Sequence, residues 1–210
     1  MAKISWGTPG ERFYEAGVDR GVLYVGNVGY AWNGLTSVQQ NASGGEPQPY
    51  YLDGYKYAQV SATEDFAATL EAFSSPREFG PCDGSNELYS GLTVTQQKRQ
   101  EFDLSYRTKV GDDLTGLDLG YKIHLVYNAL AAPSERNHQT IGQDIPLTTL
   151  SWAITTQPPN ATGFRPTSHF VIDTRRASSA DVTALENILY GTESTSARFP
   201  TVAELLAIFA

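Results

Sequence analysis

A chain of 210 residues is long enough for one domain whose core needs neither metal nor disulfide, and too short for a string of domains. A formal charge of −8, from 15 Lys and Arg against 23 Asp and Glu, excludes general electrostatic binding of nucleic acid, because phosphates are repelled by such a surface. Hydrophobic residues at 40% exclude a wholly disordered chain, and 19 Gly, 11 Pro and 12 Tyr beside one Met lean towards an all-β architecture.

Taken in order, residues 1–10 read as a mobile arm. Residues 13–18 and 21–25 read as two short strands with a turn at Asp19-Arg20-Gly21, and residues 31–38 resume an extended pattern. Residues 39–49 hold no core-forming side chain except Ala42 and read as a long loop without structure of its own, which in a compact domain is functional or disordered. Tyr50-Tyr51-Leu52 and residues 55–60 pair as a hairpin across Asp53-Gly54, a favoured turn dipeptide. Residues 63–73 allow two readings. Phe66, Leu70 and Phe73 suit a helical stripe, while Phe66, Ala68, Leu70 and Ala72 suit a strand face. Residues 74–90 are turn-rich, and a short strand follows at 92–95.

The clearest pattern lies further on. Phe102, Leu104 and Tyr106 alternate with Asp103, Ser105 and Arg107; Tyr121, Ile123, Leu125 and Tyr127 alternate with Lys122, His124, Val126 and Asn128. Such alternation predicts an antiparallel pair buried on one side, joined by a Gly- and Asp-rich loop at 109–118. A polar loop to Asp144, a strand at 147–155, a turn at Gln157-Pro158-Pro159-Asn160 and a strand at 169–173 follow. Residues 179–209 form a helical segment: Val182, Leu185, Ile188 and Leu189 share one face, Gly191 ends the first helix, and Thr201 with Glu204 makes a capping-box pattern for a second.

The chemistry is sparse. His124, His138 and His169 lack metal-ligand spacing, and Asp112, Asp113 and Asp118 lack the spacing of a calcium loop. There is no Gly-x-Ser-x-Gly elbow and no phosphate loop, and nothing among the acids singles out a catalytic pair. Cys82 has no cation near it in sequence and reads as an inert thiol; being alone, it suits a reducing compartment. The expectation is no catalytic residue, no cofactor and no metal. Residues 1–7 lack the apolar stretch of a secretory signal, and no apolar run approaches the roughly 20 residues of a membrane helix, so synthesis and initial residence in the cytosol are expected. Tyr50, Tyr51, Tyr55 and Tyr57 cluster around one turn; they suit a sugar platform or, better, packing in a sheet or subunit interface.

Ala31-Trp32-Asn33-Gly34-Leu35 followed by Gly44-Gly45-Glu46-Pro47, then residues 66–73, Pro76, Glu78-Phe79 and Cys82-Asp83-Gly84, carry a resemblance. It continues through Gln96-Gln97, Phe102, Tyr106-Arg107, residues 120–127 and Pro133-Ser134-Glu135. The order of these pieces resembles the major tail tube proteins of long-tailed, non-contractile phages (siphophages), the actinobacteriophage type in particular. The resemblance implies a mainly β single domain over 1–210: an antiparallel β-sandwich or half-barrel with long loops, a flanking C-terminal helix, and residues 63–73 as strand. It implies homohexameric rings stacked around a tape-measure protein, tail-tip and tail-terminator partners, and DNA passing through the lumen without specific binding. It also implies assembly in host cytoplasm, residence in the virion tail and no contact with membrane. On that reading Asp103, Ser105, Arg107, Lys122 and His124 are candidates to line the lumen, or the reverse face does. Gln39, Gln40, Asn41, Glu46 and Gln48 are candidates for an extended inter-ring loop. The alternative is a monomeric carbohydrate-binding β-sandwich; a polysaccharide hydrolase comes third, for want of an acid pair.

Overall fold

The alternating segments form the spine of the molecule as β9 (Phe102–Asp112) and β10 (Gly116–Ala131), both longer than the pattern marks. The computed structural model describes residues 4–44, 46–61, 63–140 and 147–210; expectations falling on 1–3 and 141–146 lie outside it. The loop expected at 109–118 is mostly ladder, since Lys109 pairs with Tyr121, Val110 with Gly120 and Asp112 with Gly116. Asp112 Oδ1 accepts from the backbone N–H of Leu114 and Thr115 and from the Thr115 hydroxyl, which closes the reversal within a few residues.

Around the spine runs an eight-stranded antiparallel sheet. It adds β1 (Tyr14–Val25), β2 (Val28–Ala31), β3 (Leu35–Gly44), β6 (Glu64–Ala72), β11 (Leu150–Thr156) and β12 (His169–Asp173). The order is β2-β1-β9-β10-β11-β6-β3, with β12 also on β10. β10 serves two neighbours along one edge: Lys122–Val126 pairs with β12 and Ala129–Ala131 with β11. Between them Asn128 takes φ 50°, and its N–H is held by Asp103 Oδ1 at 2.8 Å.

Two expectations are corrected, and one open reading is resolved as the resemblance implies. Residues 14–25 are one strand, not two; register shifts between Ala16, Asp19 and Val22, with positive φ at Gly17 and Arg20, absorb the turn residues as bulges without reversing the chain. Residues 39–44 are not loop but the outer half of β3, paired from Gln39↔Thr69 to Gly44↔Glu64. A strand at the end of the sheet order satisfies its backbone through β6 and needs few apolar side chains, so composition hid it. Residues 64–72 resolve as strand, with Ala68, Leu70 and Ala72 fully buried and Phe73 of the rival helical stripe exposed. β11 begins at Leu150, and Leu147 is exposed.

The remaining strands stand apart as two hairpins, β4 (Gln48–Leu52) with β5 (Tyr55–Val60), and β7 (Asn86–Tyr89) with β8 (Leu92–Val94). A 3-10 turn, Arg77–Phe79, runs into the single-turn α1 (Gly80–Asp83). α2 (Ser179–Tyr190) opens on Ser178, whose hydroxyl accepts from Asp181 N–H; α3 (Val202–Ile208) opens on the Thr201/Glu204 capping box.

Two cores result. The sheet curls into a half-barrel until β3 comes over β9, where Gln40 Nε2 donates to the Tyr106 hydroxyl at 3.1 Å. Inside that curl lie Leu23, Leu70, Phe102, Leu104, Val126, Trp152 and Ile154, with Phe79 and Cys82 among them. On the opposite face Val22, Tyr24, Ile123, Leu125 and Tyr127 pack under Leu185 and Leu189 of α2 and Leu205 of α3. The expected one-sided burial of the spine is therefore also corrected. Both faces are covered: the helices take the polar face of β9 and the apolar face of β10, and the half-barrel takes the other two.

Candidate assembly surface

Cross-strand partners in an antiparallel ladder share a face. Tyr106 is opposite His124, Arg107 opposite Ile123 and Ser105 opposite Leu125. Asp103, Ser105 and Arg107 thus lie on the helix-covered face, and Lys122 and His124 on the half-barrel face. The five do not form one wall, and three are inside the subunit: Ser105 is 0% exposed, Arg107 9% and His124 5%.

Each has a partner. Ser105 Oγ lies 3.1 Å from the Tyr24 hydroxyl, which donates to Leu189 O at 2.8 Å and so joins β1 to α2. Arg107 makes a two-pronged bond to Asp19 at 2.8 and 3.1 Å, sits 3.6 Å from Glu186 Oε1 and lies over the Tyr121 ring at 4.3 Å. That contact holds the Asp19 carboxyl below its ordinary range. Burial raises Asp103, and Lys122 pairs with Glu15. His124 faces Thr108 Oγ1 at 3.0 Å and His169 Nε2 at 3.2 Å. The two imidazoles sit between Tyr106 and Phe66 in a run of four rings spanning β9, β10, β12 and β6. Burial lowers both histidines to about 4, so they are neutral at pH 7.

The loop candidates divide differently. Gln39, Gln40 and Asn41 are in β3, Glu46 lies between β3 and β4, Gln48 opens β4, and all five are exposed. Asn41 Nδ2 donates to Thr69 Oγ1 at 3.0 Å. Beyond them stands the hairpin β4–β5. Its turn residues Asp53 and Gly54 have φ 50° and 81°, as Asp-Gly turns of the primed class require. Among the described residues it pairs only with itself, and Tyr50, Tyr51, Tyr55 and Tyr57 are 57%, 67%, 80% and 77% exposed. Of the second such element sequence reasoning marked the strand at β8 but missed β7 and the hairpin; β7–β8 leaves Leu88, Tyr89 and Leu92 exposed. Leu88-Tyr89 followed by Leu92 across Ser90-Gly91 was the signal for it. Ile4 and Trp6 in the N-terminal arm are exposed too. Isolated two-stranded hairpins are marginally stable in water, and apolar arms of this kind mark surfaces that another molecule covers.

Cys82 is buried, and burial with Asp83 beside it pushes its thiol up to about 12. Asp83 meanwhile pairs with Arg99 and Arg136 and accepts from Trp152 Nε1 at 3.1 Å. Asp112 closes its own turn, and Asp113 accepts from Gly10 N–H at 2.8 Å. Among the described residues no group of three His, Cys, Asp or Glu is placed to hold a metal, and no helix is long and apolar enough to cross a membrane.

No protein-family model and no curated protein matches the chain. Among solved structures it overlaps a chain of the sheath–tube complex of an extracellular contractile injection system in its extended state. There the TM-score is 0.41 and the identity 13%, over 81% of this chain and 95% of that one. It also overlaps a chain from the sheath/tube terminator of that system, with TM-score 0.38 and 14% identity over 81% and 99% of the two chains. A third overlap is with the tube-terminating cap of the anti-feeding prophage, with TM-score 0.39 and 9% identity over 83% and 96%. Likenesses this weak assign no role.

Proposed function

We propose that this chain is a non-catalytic structural subunit of a phage-type tail tube, built to polymerise with copies of itself. The observation that carries this is the β4–β5 hairpin: a self-paired arm with four exposed tyrosines and Leu52 on a body whose own core is complete. A folded domain gains nothing by leaving such an arm bare; a second subunit covers it and removes its apolar area from water. A repeated head-to-tail contact of this kind closes into rings or extends as a filament.

The finer reading follows the sequence resemblance. Six copies close a ring, and rings stack into a hollow tube around a tape-measure protein, between a tail tip and a terminator. The tube belongs to a virion tail of the siphophage type, assembled in host cytoplasm, and later conducts DNA. The charge of −8 supports passage without retention, since few Lys or Arg are available to hold phosphates. The buried positions of Ser105, Arg107 and His124 move the search for lumen residues away from the spine.

Negative-stain microscopy over a range of protein concentrations, with and without a tail-tip complex, tests the proposal. Six-fold rings or hollow tubes are the expected result; monomers persisting with the tip present overturn it. The same tyrosines favour one rival, a monomeric carbohydrate-binding module. Against it, they stand on a projecting arm rather than in a concave site. Glycan binding by the monomer, lost on replacing Tyr55 and Tyr57, would select that rival.

A further inference from the structure

We propose that the cleft at the base of the arm receives the arm of a second copy, with Lys56 of that copy seated against Glu64 and Asp65. This rests on the assembly reading above and names the partner surface.

The cleft, about 480 Å³, opens between the outer ends of β3 and β6 and the loop leading into β12. Its chemistry is one-sided. Glu64 and Asp65 supply carboxylates, and no lysine or arginine is among the described residues lining it. Gln40 and Asn41 spend amide N–H groups on Tyr106 and Thr69, which leaves their carbonyl oxygens as acceptors. Ser168, also on the wall, is 2% exposed, and its hydroxyl has no hydrogen-bond partner among the described residues. A buried polar group left so is costly unless something arrives to satisfy it. An ammonium group, with three donors and no acceptor, fits a set of two carboxylates and a hydroxyl oxygen. Pro158 and Pro166 give the same cleft apolar walls.

The arm presents the complement. Lys56 is the only cation on residues 48–60, with Tyr55 and Tyr57 on either side. Among the described residues it is held only by Gln59 of its own strand, a surface contact that is easily exchanged. Among the described residues it makes no ion pair with Glu64 or Asp65 of its own subunit. The proposed donor is a neighbour's arm, and such a contact is head-to-tail, which is the kind that propagates.

A charge swap tests this. Lys56→Glu alone and Glu64→Lys with Asp65→Lys alone should each raise the protein concentration needed for polymerisation at least ~10-fold, while an equimolar mixture of the two proteins forms mixed pairs. All three substitutions in one chain should restore assembly. A Lys56→Cys protein mixed with an Asp65→Cys protein should give a disulfide-linked heterodimer under oxidising conditions, without any polymer being needed. Wild-type polymerisation together with unaffected single variants, absent rescue or absent cross-link overturns the cleft and leaves the assembly reading standing. Wild-type protein that stays monomeric even with the tail-tip complex present, with no cross-link, overturns both.

Discussion

Two hairpins of this molecule carry the same kind of sequence and meet opposite fates. β9–β10 alternates aromatic and aliphatic residues with polar ones, and both of its faces are buried, one by the half-barrel and one by α2 and α3. β4–β5 is as rich in aromatics across a tighter turn, and both of its faces are bare. Alternation reports that a strand exists; it does not report what covers it. For the spine the cover is in the same chain, far away in sequence. For the arm, on the proposed assembly, it comes from another molecule.

The sharpest test of that contrast uses adjacent residues that point opposite ways. Leu125 packs under the helices and Val126 inside the half-barrel, and both are fully buried. Leu125→Ala should cost about 2–5 kcal/mol, and Val126→Ala should also be clearly destabilising, because each leaves a cavity that its core fills only in part. Urea melts of the two variants decide the matter. A near-zero cost at either position breaks the claim that the spine is covered on both sides.

The next effect is one of pH. His124 and His169 are lowered to about 4 by burial, against 6.5 in an unfolded chain. Below 6.5 the unfolded state binds more protons than the folded one. The stability of neutral, buried imidazoles is therefore complete above 6.5 and is lost as pH falls towards 4. With both rings contributing, the unfolding equilibrium should rise by up to about 100-fold per pH unit within that window. Melts between pH 7 and 5 read the slope, and His124→Gln with His169→Gln should flatten it. The arm holds no histidine, so its substitutions should leave the slope alone.

What was legible follows the same division. The Asp53-Gly54 turn, the Thr201/Glu204 cap and the helical stripe through Leu185 and Leu189 rest on local rules, and each appears where the sequence marks it. The alternating pair was legible as strands but not as a register. Without knowing that Tyr106 meets His124, Asp103, Ser105 and Arg107 could not be separated from Lys122 and His124. A one-residue shift exchanges the faces. Residues 39–44 were illegible for a different reason, since a strand at the edge of the sheet can be polar throughout and still be held by its ladder. The turn expected at Asp19-Arg20-Gly21 became a bulge because β9 continues past it as a template. The Asp19–Arg107–Glu186 cluster joins residues far apart in sequence, and no spacing rule reveals it.

That cluster gives a smaller effect. Asp19→Asn removes the carboxylate from an arginine whose side chain is 11% exposed and leaves it with Glu186 and the Tyr121 ring. A loss of about 1–3 kcal/mol is expected, measured by urea denaturation, with Glu186→Gln costing less because its contact with Arg107 is longer.

The smallest effect on the folded monomer belongs to the arm, and there the contrast becomes functional. Tyr51→Ser and Tyr55→Ser remove large rings that touch little in the subunit, so each should shift monomer stability by no more than about 0.5 kcal/mol. The same substitutions should weaken self-association strongly, since exposed aromatic anchors carry a large share of the energy at an interface. Parallel measurement separates the two roles: melting of dilute protein, and sedimentation of concentrated protein. Unchanged melting with lost association is the signature of a surface meant for another copy. A large loss of monomer stability would show instead that the rings pack against their own subunit in solution. The arm would then be a second spine rather than its opposite.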